Sequence, residues 1–299
     1  MRVFITGATG FVGTAVVEEL IAGGHDVVGL ARSDEGAAKV ERAGATVHRG
    51  ALEDLDSLRA GARDADGVIH LAFIHDFSNF VASAEADRAA IAAIGETLVD
   101  SGRPLVVTSG LAFLAQGRRA TENDVPSDAF PRRSEAAAFA FLSRDVRAIA
   151  MRLAPTVHDA GDHGFVPALI QRALDNGASM YAGSGENRWA AVHRRDAARL
   201  FRLAIESAPA GARLHAVGEE GIPMREIATK IGEKLAVSVK SVTPEEAQER
   251  LGWLAMFATM DVAASSAITQ ERMNWRPTHQ GLMADLDSAY FEPVTQEVV

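Results

Sequence analysis

Short apolar runs rich in β-branched residues alternate with longer helical patterns over the first half of the chain. Val3-Phe4-Ile5-Thr6 reads as a buried strand, and residues 13–21 as the helix that follows it. Residues 25–31 predict a second strand and 45–48 a short third. Residues 67–71, 104–108 and 147–152 predict the next three strands, and 212–217 a seventh. Runs of this kind, apolar throughout rather than alternating, belong to strands covered on both faces. The expected fold is therefore α/β, a doubly wound parallel sheet, in which ligands bind at the carboxyl ends of the strands.

Beyond the sixth strand the alternation stops. Residues 164–190 and about 218–299 carry helical patterns broken by Gly, Pro and Trp, and read as a smaller lobe laid over the sheet's carboxyl edge. Within it Trp253, Met256, Phe257 and Met260 form a helically spaced apolar stripe. Such a stripe is either core or a substrate wall. Gly183 to Trp189 reads as a loop offering aromatic and basic groups to a substrate.

Between the first strand and its helix lies Thr6-Gly7-Ala8-Thr9-Gly10-Phe11-Val12-Gly13. Glycines in this register permit a tight turn, close approach of the backbone to a pyrophosphate, and close packing of helix on strand. The amides that open the helix, from Phe11 onward, favour the phosphate charge. This predicts a dinucleotide-binding domain over residues 1–163 plus about 191–217, with 164–190 and 218–299 as the substrate-binding lobe.

The second strand ends Leu30-Ala31-Arg32-Ser33, without the acidic residue that binds the ribose 2′-OH of NAD. Arg32 suits a 2′-phosphate and Ser33 can hydrogen-bond to it, so NADP is the expected cofactor.

Taken together, these segments resemble the extended and atypical short-chain dehydrogenase/reductases, the NAD-dependent epimerase/dehydratase type with its Rossmann-type sheet. Besides the glycine loop, Val68-Ile69-His70-Leu71-Ala72, Val106-Val107-Thr108-Ser109, residues 151–157, residues 191–198 and Met273-Asn274-Trp275-Arg276-Pro277 are similar to that family's motifs. The resemblance implies pyrophosphate contacts at Gly7, Thr9, Gly10, Phe11, Val12 and Gly13. It implies an adenosine site near Arg32, Ser33, Ala51 and Leu52. Leu71, Ala72 and Phe73 would flank the linking ribose, while Thr108, Pro155, Thr156 and Val157 would border the nicotinamide.

The family's usual catalytic pair, Y-x-x-x-K on the helix after the fifth strand, is missing. Residues 130–139 contain neither Tyr nor Lys, and the chain's two tyrosines, Tyr181 and Tyr290, lie elsewhere. Four residues are candidates for the vacant roles. Ser109 either caps a turn or donates to a substrate oxygen, and Arg132 or Arg133 is either a solvated helix-start arginine or the replacement positive charge, with Arg133 the one selected. His158 and His163 are candidate proton donors. The cluster His158-Asp159-Ala160-Gly161-Asp162-His163 lacks the i, i+4 spacing of a helical metal site, so no metal is expected.

The expected activity is reduction of a small or medium, apolar or aromatic carbonyl compound by NADPH. An epimerase or dehydratase with a tightly held cofactor and a non-catalytic NADP-binding redox sensor are the alternatives. Composition narrows the partners to a small-molecule substrate. A net charge of −10 disfavours nucleic acid and anionic membranes, and the absence of cysteine removes disulfides and thiolate chemistry. No apolar run is long enough to span a bilayer, and glycines interrupt the apolar start before an export-signal core could form. A cytoplasmic protein is expected, and the family resemblance adds the expectation of a homodimer.

Overall fold

The computed structural model describes residues 1–115 and 117–291. Its strands are β1 (Arg2–Thr6), β2 (Asp26–Ala31), β3 (Thr46–Arg49), β4 (Gly67–His70), β5 (Pro104–Gly110), β6 (Arg147–Leu153), β7 (Thr156–His158), β8 (Ala178–Ala182), β9 (Arg188–His193), β10 (Arg213–Ala216), β11 (Glu219–Pro223) and β12 (Ser238–Val242). The helices are α1 (Phe11–Ala22), α2 (Asp34–Arg42), α3 (Leu55–Arg63), α4 (Phe80–Leu98), α5 (Ser134–Phe139), α6 (Phe165–Asn176), α7 (Arg194–Ser207), α8 (Met224–Leu235), α9 (Pro244–Leu251), α10 (Leu254–Ala258), α11 (Ala267–Met273) and α12 (Leu282–Asp287).

All seven expected strands enter one sheet, in the order β10-β6-β5-β4-β1-β2-β3, and every neighbouring pair is parallel. The fold is a Rossmann-like α/β sheet. Its order reverses between β1 and β4, which sets the carboxyl-edge crevice beside the glycine loop. Two apolar clusters cover the two faces. One joins Val3, Ile5, Val16 and Leu20 to Phe201 and Trp275; the other joins Phe4 and Leu58 to Ile91, Ile94 and Phe141.

A third cluster gathers Val166, Trp189, Ile227, Leu254 and Leu282 beside the short β7-β9-β11 and β8-β12 sheets. Val262, Ala264, Met273 and Trp275, although late in the chain, pack instead with the main sheet. The stripe expected at Trp253, Met256, Phe257 and Met260 is not the buried face. Leu254, Ala255 and Ala258 are buried, whereas Trp253 and Met256 are largely exposed. Gly252, at φ +59°, breaks the helix between α9 and α10 and resets the phase of the pattern. Trp189 is likewise core, with its ring centroid 3.8 Å from that of Phe165, and Arg188 pairs with Asp261 at 2.7 Å. Among the described residues no helix is long and apolar enough to cross a membrane.

Candidate active site

The glycine loop is closely packed by backbone. Gly7 holds φ +72°, and a Cβ there would stand 2.7 Å from the amide nitrogen of Ala72. At Gly13 a Cβ would overlap the Gly7 carbonyl oxygen and lie 2.9 Å from its carbon. Gly10 differs: it is exposed, and a Cβ would meet only the Gly7 oxygen at 3.4 Å. The first intrahelical bond runs from Thr14 N to Gly10 O, so the amides of Phe11, Val12 and Gly13 precede it and remain available to an anion.

The ends of the neighbouring strands complete this edge. Leu71 N donates to Thr6 O and Ala72 N to Thr6 Oγ1, each at 3.2 Å, drawing the β4 exit against the glycine loop. At the end of β2, Ser33 accepts from Gly36 N at 3.1 Å and caps α2. Arg32 beside it is exposed and makes no side-chain hydrogen bond or ion pair among the described residues. Arg49 stands opposite Ala31 in register and forms an ion pair with Asp34, the nearest carboxylate following β2. Ala51 and Leu52 follow β3, with Leu52 buried.

Ser109 pairs in register with Arg152, so the chain leaving β6 through Pro155, Thr156 and Val157 runs beside the end of β5. The hydroxyls of Thr108, Ser109 and Thr156 are buried without a protein partner. A glycine cradle that admits no Cβ, open helix amides and three unmatched hydroxyls fit a bound dinucleotide.

Ser109 lines a cavity of about 240 Å³. Its walls include Phe80, Phe113 and Phe130, whose rings follow one another at centroid distances of 5.6 Å (Phe80–Phe130) and 5.0 Å (Phe113–Phe130). The long segment between β5 and α5 contributes much of this wall. Arg132, Arg133 and Arg213 also line it. Arg133 turns outward to Asp128, at 3.4 Å. Arg213 pairs with Glu135, which also holds the fully buried Arg152 through two hydrogen bonds of 3.0 and 3.1 Å.

Arg132 is held by a buried polar chain that begins at the glycine loop. Thr6 Oγ1 accepts from Ala72 N, and with His70 Nε2–H turned to the Asp87 carboxylate, its proton goes to His70 Nδ1 at 2.9 Å. His70 Nε2–H then faces Asp87 Oδ1 at 3.3 Å, and Ser134 Oγ donates to Asp87 Oδ2 at 2.6 Å. Arg132 Nε donates to Ser134 Oγ at 3.0 Å and Nη2 to the Thr108 carbonyl at 2.8 Å. Burial pushes the Asp87 carboxyl up, but His70, Arg132 and Ser134 outweigh it and hold the group below its ordinary value. Burial lowers the Arg132 guanidinium, and the Asp87 charge opposes that.

The four catalytic candidates therefore part company. Ser109 and Arg133 share the cavity. His163 is exposed beside the glycine loop, edge-on to the Phe11 ring at 5.9 Å. His158 lies in a second, polar cavity of about 190 Å³ with His193 and His279, and its Nδ1–H is bound to Asp285 at 2.5 Å. Neither tyrosine reaches the first cavity: Tyr290 donates to Asp162 at 2.6 Å, and Tyr181 lies in β8. Among the described residues no group of side chains is arranged to hold a metal ion.

Sequence reasoning missed Asp87, Ser134 and the phenylalanine wall. Asp87 did leave a signal, since Ala84, Asp87, Ile91 and Ile94 repeat at helical spacing and place one carboxylate on a buried face. His70 was visible only as part of a motif.

Residues 3–113 match the family model described as the NAD dependent epimerase/dehydratase family. The chain is 51% identical over 295 residues to the uncharacterized protein C2A9.02 of Schizosaccharomyces pombe, covering 97% of this chain and 100% of that one. It is 28% identical to a 4-hydroxy-2-methyl-3-oxo-4-farnesyl-3,4-dihydroquinoline-1-oxide ketoreductase of Stigmatella aurantiaca, over 71% of this chain and 66% of that one. Among solved structures, the DesIV dTDP-glucose 4,6-dehydratase of Streptomyces venezuelae, with NAD and TYD bound, shares the fold at a TM-score of 0.76 and 20% identity, covering 96% of both chains. Glycine cradle, strand order and sequence similarity agree: the chain belongs to the NAD-dependent epimerase/dehydratase family.

Proposed function

We propose that the protein is an NADPH-dependent reductase of a small or medium, apolar or aromatic carbonyl compound. The observation that carries this reading is the cavity at the end of β5, which Ser109, its buried hydroxyl without a protein partner, lines together with Phe80, Phe113 and Phe130. The similarity to a ketoreductase acting on a quinoline derivative supports reduction of a ring-bearing ketone.

The preference for NADP rests on charge at the end of β2. Arg32 is free of partners among the described residues, while Asp34, the nearest carboxylate after β2, already pairs with Arg49. Gly7, Gly10, Gly13 and the open amides of α1 hold the pyrophosphate. The nicotinamide, when bound, supplies the hydride. Ser109 Oγ donates to the substrate oxygen and stabilises the charge that develops there. Of the two candidate histidines, His163 is the one beside the glycine loop, whereas His158 is committed to Asp285.

The test follows NADPH absorbance against a panel of aromatic and aliphatic aldehydes and ketones. Aromatic members are expected to consume NADPH, and Ser109→Ala to lower kcat by roughly a hundredfold, the loss typical of one oxyanion donor. The lack of any tyrosine at the cavity favours one second reading, an NADP-binding protein without turnover. Tight NADPH binding with no consumption across the panel would establish that reading and exclude the first.

A further inference from the structure

We propose that Arg132 and Ser109 form an oxygen-binding subsite for an aryl carbonyl or aryl carboxylate group, with the phenylalanine wall receiving the ring. This deepens the reductase reading and rests on it for the chemistry, though not for the binding.

Three observations converge on Arg132. First, its guanidinium is immobilised. Nε and Nη2 are committed to Ser134 and to the Thr108 carbonyl, and Cζ lies 4.0 Å from the centroid of the Phe73 ring. A planar fork fixed on three sides loses little entropy when it binds an oxygen. Second, Nη1 meets no acceptor among the described residues, while the side chain lines the cavity and keeps 17% of its surface exposed. Third, its charge is not matched from within the cavity. Asp87 stands 4.0 Å away and is already served by His70 and Ser134. Arg133 and Arg213, by contrast, are paired with Asp128 and Glu135.

The Thr108 carbonyl that anchors Arg132 belongs to the residue before Ser109, so both donors are set by one strand end. From the Phe73 ring beneath the guanidinium, Phe80 follows at 5.8 Å, and Phe130 continues the series. A ring bearing a C=O or COO⁻ matches this arrangement: the oxygen meets Nη1 and the Ser109 hydroxyl, and the ring lies along the phenylalanines. In reduction, hydride reaches the carbonyl carbon, the C=O π pair moves to oxygen, and that oxygen takes a proton from water at the open cavity. Arg132 stays protonated throughout. Asp87 is a positioning residue that acts through Ser134.

Benzoate is the probe, titrated by calorimetry into the protein saturated with NADP+. Wild type is expected to bind it. Arg132→Ala should weaken binding about 10- to 100-fold, the range for one charge-assisted contact. Arg132→Lys should fall between the two, because it keeps the charge and loses the fork. Without Arg132, Asp87 still has the His70 and Ser134 donors, so the variant is expected to fold. An unchanged melting temperature and NADP+ affinity separate a local loss from a structural one. Asp87→Asn should weaken benzoate less than Arg132→Ala. No benzoate binding by wild type, or equal binding by a folded Arg132→Ala, overturns the subsite. If benzoate binds through Arg132 while no aryl carbonyl consumes NADPH, the subsite stands and the reductase reading fails.

Discussion

Gly10 and Gly13, three residues apart where the glycine loop enters α1, should fail in opposite ways when changed to alanine. Gly13 is packed against backbone. A Cβ there would stand 2.9 Å from the Gly7 carbonyl carbon and 3.1 Å from Ala8 Cα, besides overlapping the Gly7 oxygen. No rotamer change relieves a backbone overlap, so α1 must move off β1, at a cost near the upper end for overpacking, about 3 kcal/mol. Alanine's better helix propensity returns about 1 kcal/mol, leaving a net loss of about 2 kcal/mol. Gly10 lies at φ −78°, ψ 171°, extended backbone open to alanine, and its nearest neighbour would be 3.4 Å from the new Cβ. The expected change in stability for Gly10→Ala is within about 0.5 kcal/mol, since a weaker N-cap offsets the smaller unfolded-state entropy. That Cβ instead enters the space a pyrophosphate would occupy over the open amides of α1. NADPH affinity should fall at least about tenfold, the loss of one charge-assisted hydrogen bond. Thermal unfolding and NADPH fluorescence titration of both variants decide the matter. Wild-type affinity in Gly10→Ala would refute the pyrophosphate's position, and a wild-type melting temperature in Gly13→Ala would refute the close packing of helix on strand.

Other perturbations test other parts of the site. Arg32→Ala should weaken NADP+ binding about tenfold while leaving NAD+ affinity unchanged, as read by titration of both dinucleotides; equal losses for both would remove Arg32 from the 2′-phosphate. Glu135→Ala leaves Arg152 buried without its carboxylate and should cost about 3–5 kcal/mol in denaturant unfolding; a loss below 1 kcal/mol (on the order of an exposed pair) would show that the ion pair is not sealed from solvent. His215 is buried and pushed down to about 4, mainly by burial. Below the ordinary histidine pKa of about 6.5 the unfolded chain takes up a proton that folded His215 refuses, so its contribution makes stability fall as pH drops from about 6.5 to 4 and level off below that. The difference in unfolding free energy between wild type and His215→Gln should change by up to about 3 kcal/mol across this window; a constant difference would contradict the burial argument.

The histidine-rich stretch at residues 158–163 shows why spacing alone misleads. Its residues are neighbours in sequence, yet β7 carries His158 inward to Asp285, 127 positions away, while His163 emerges beside Phe11. The arginine pair at 132–133 divides in the same way, Arg132 turning to Thr108 and Arg133 to Asp128. Adjacent positions that enter a helix point in different directions, and nothing local says which of them faces the sheet.

By itself, the sequence determined the seven-stranded parallel sheet, its carboxyl-edge binding crevice and the glycine loop. Each of these follows from local chemistry: apolar runs that only a doubly covered sheet can bury, and glycines that only a tight turn against a helix requires. The absence of Tyr and Lys after the fifth strand was equally legible. Tertiary structure alone decided what stands in that place. Thr6, His70, Asp87 and the Arg132–Ser134 turn come from four separate segments, and Phe73, Phe80, Phe113 and Phe130 from either side of β5. They meet because parallel strands return every crossover to the same edge, and because a buried charge such as Asp87 persists only where distant donors converge on it.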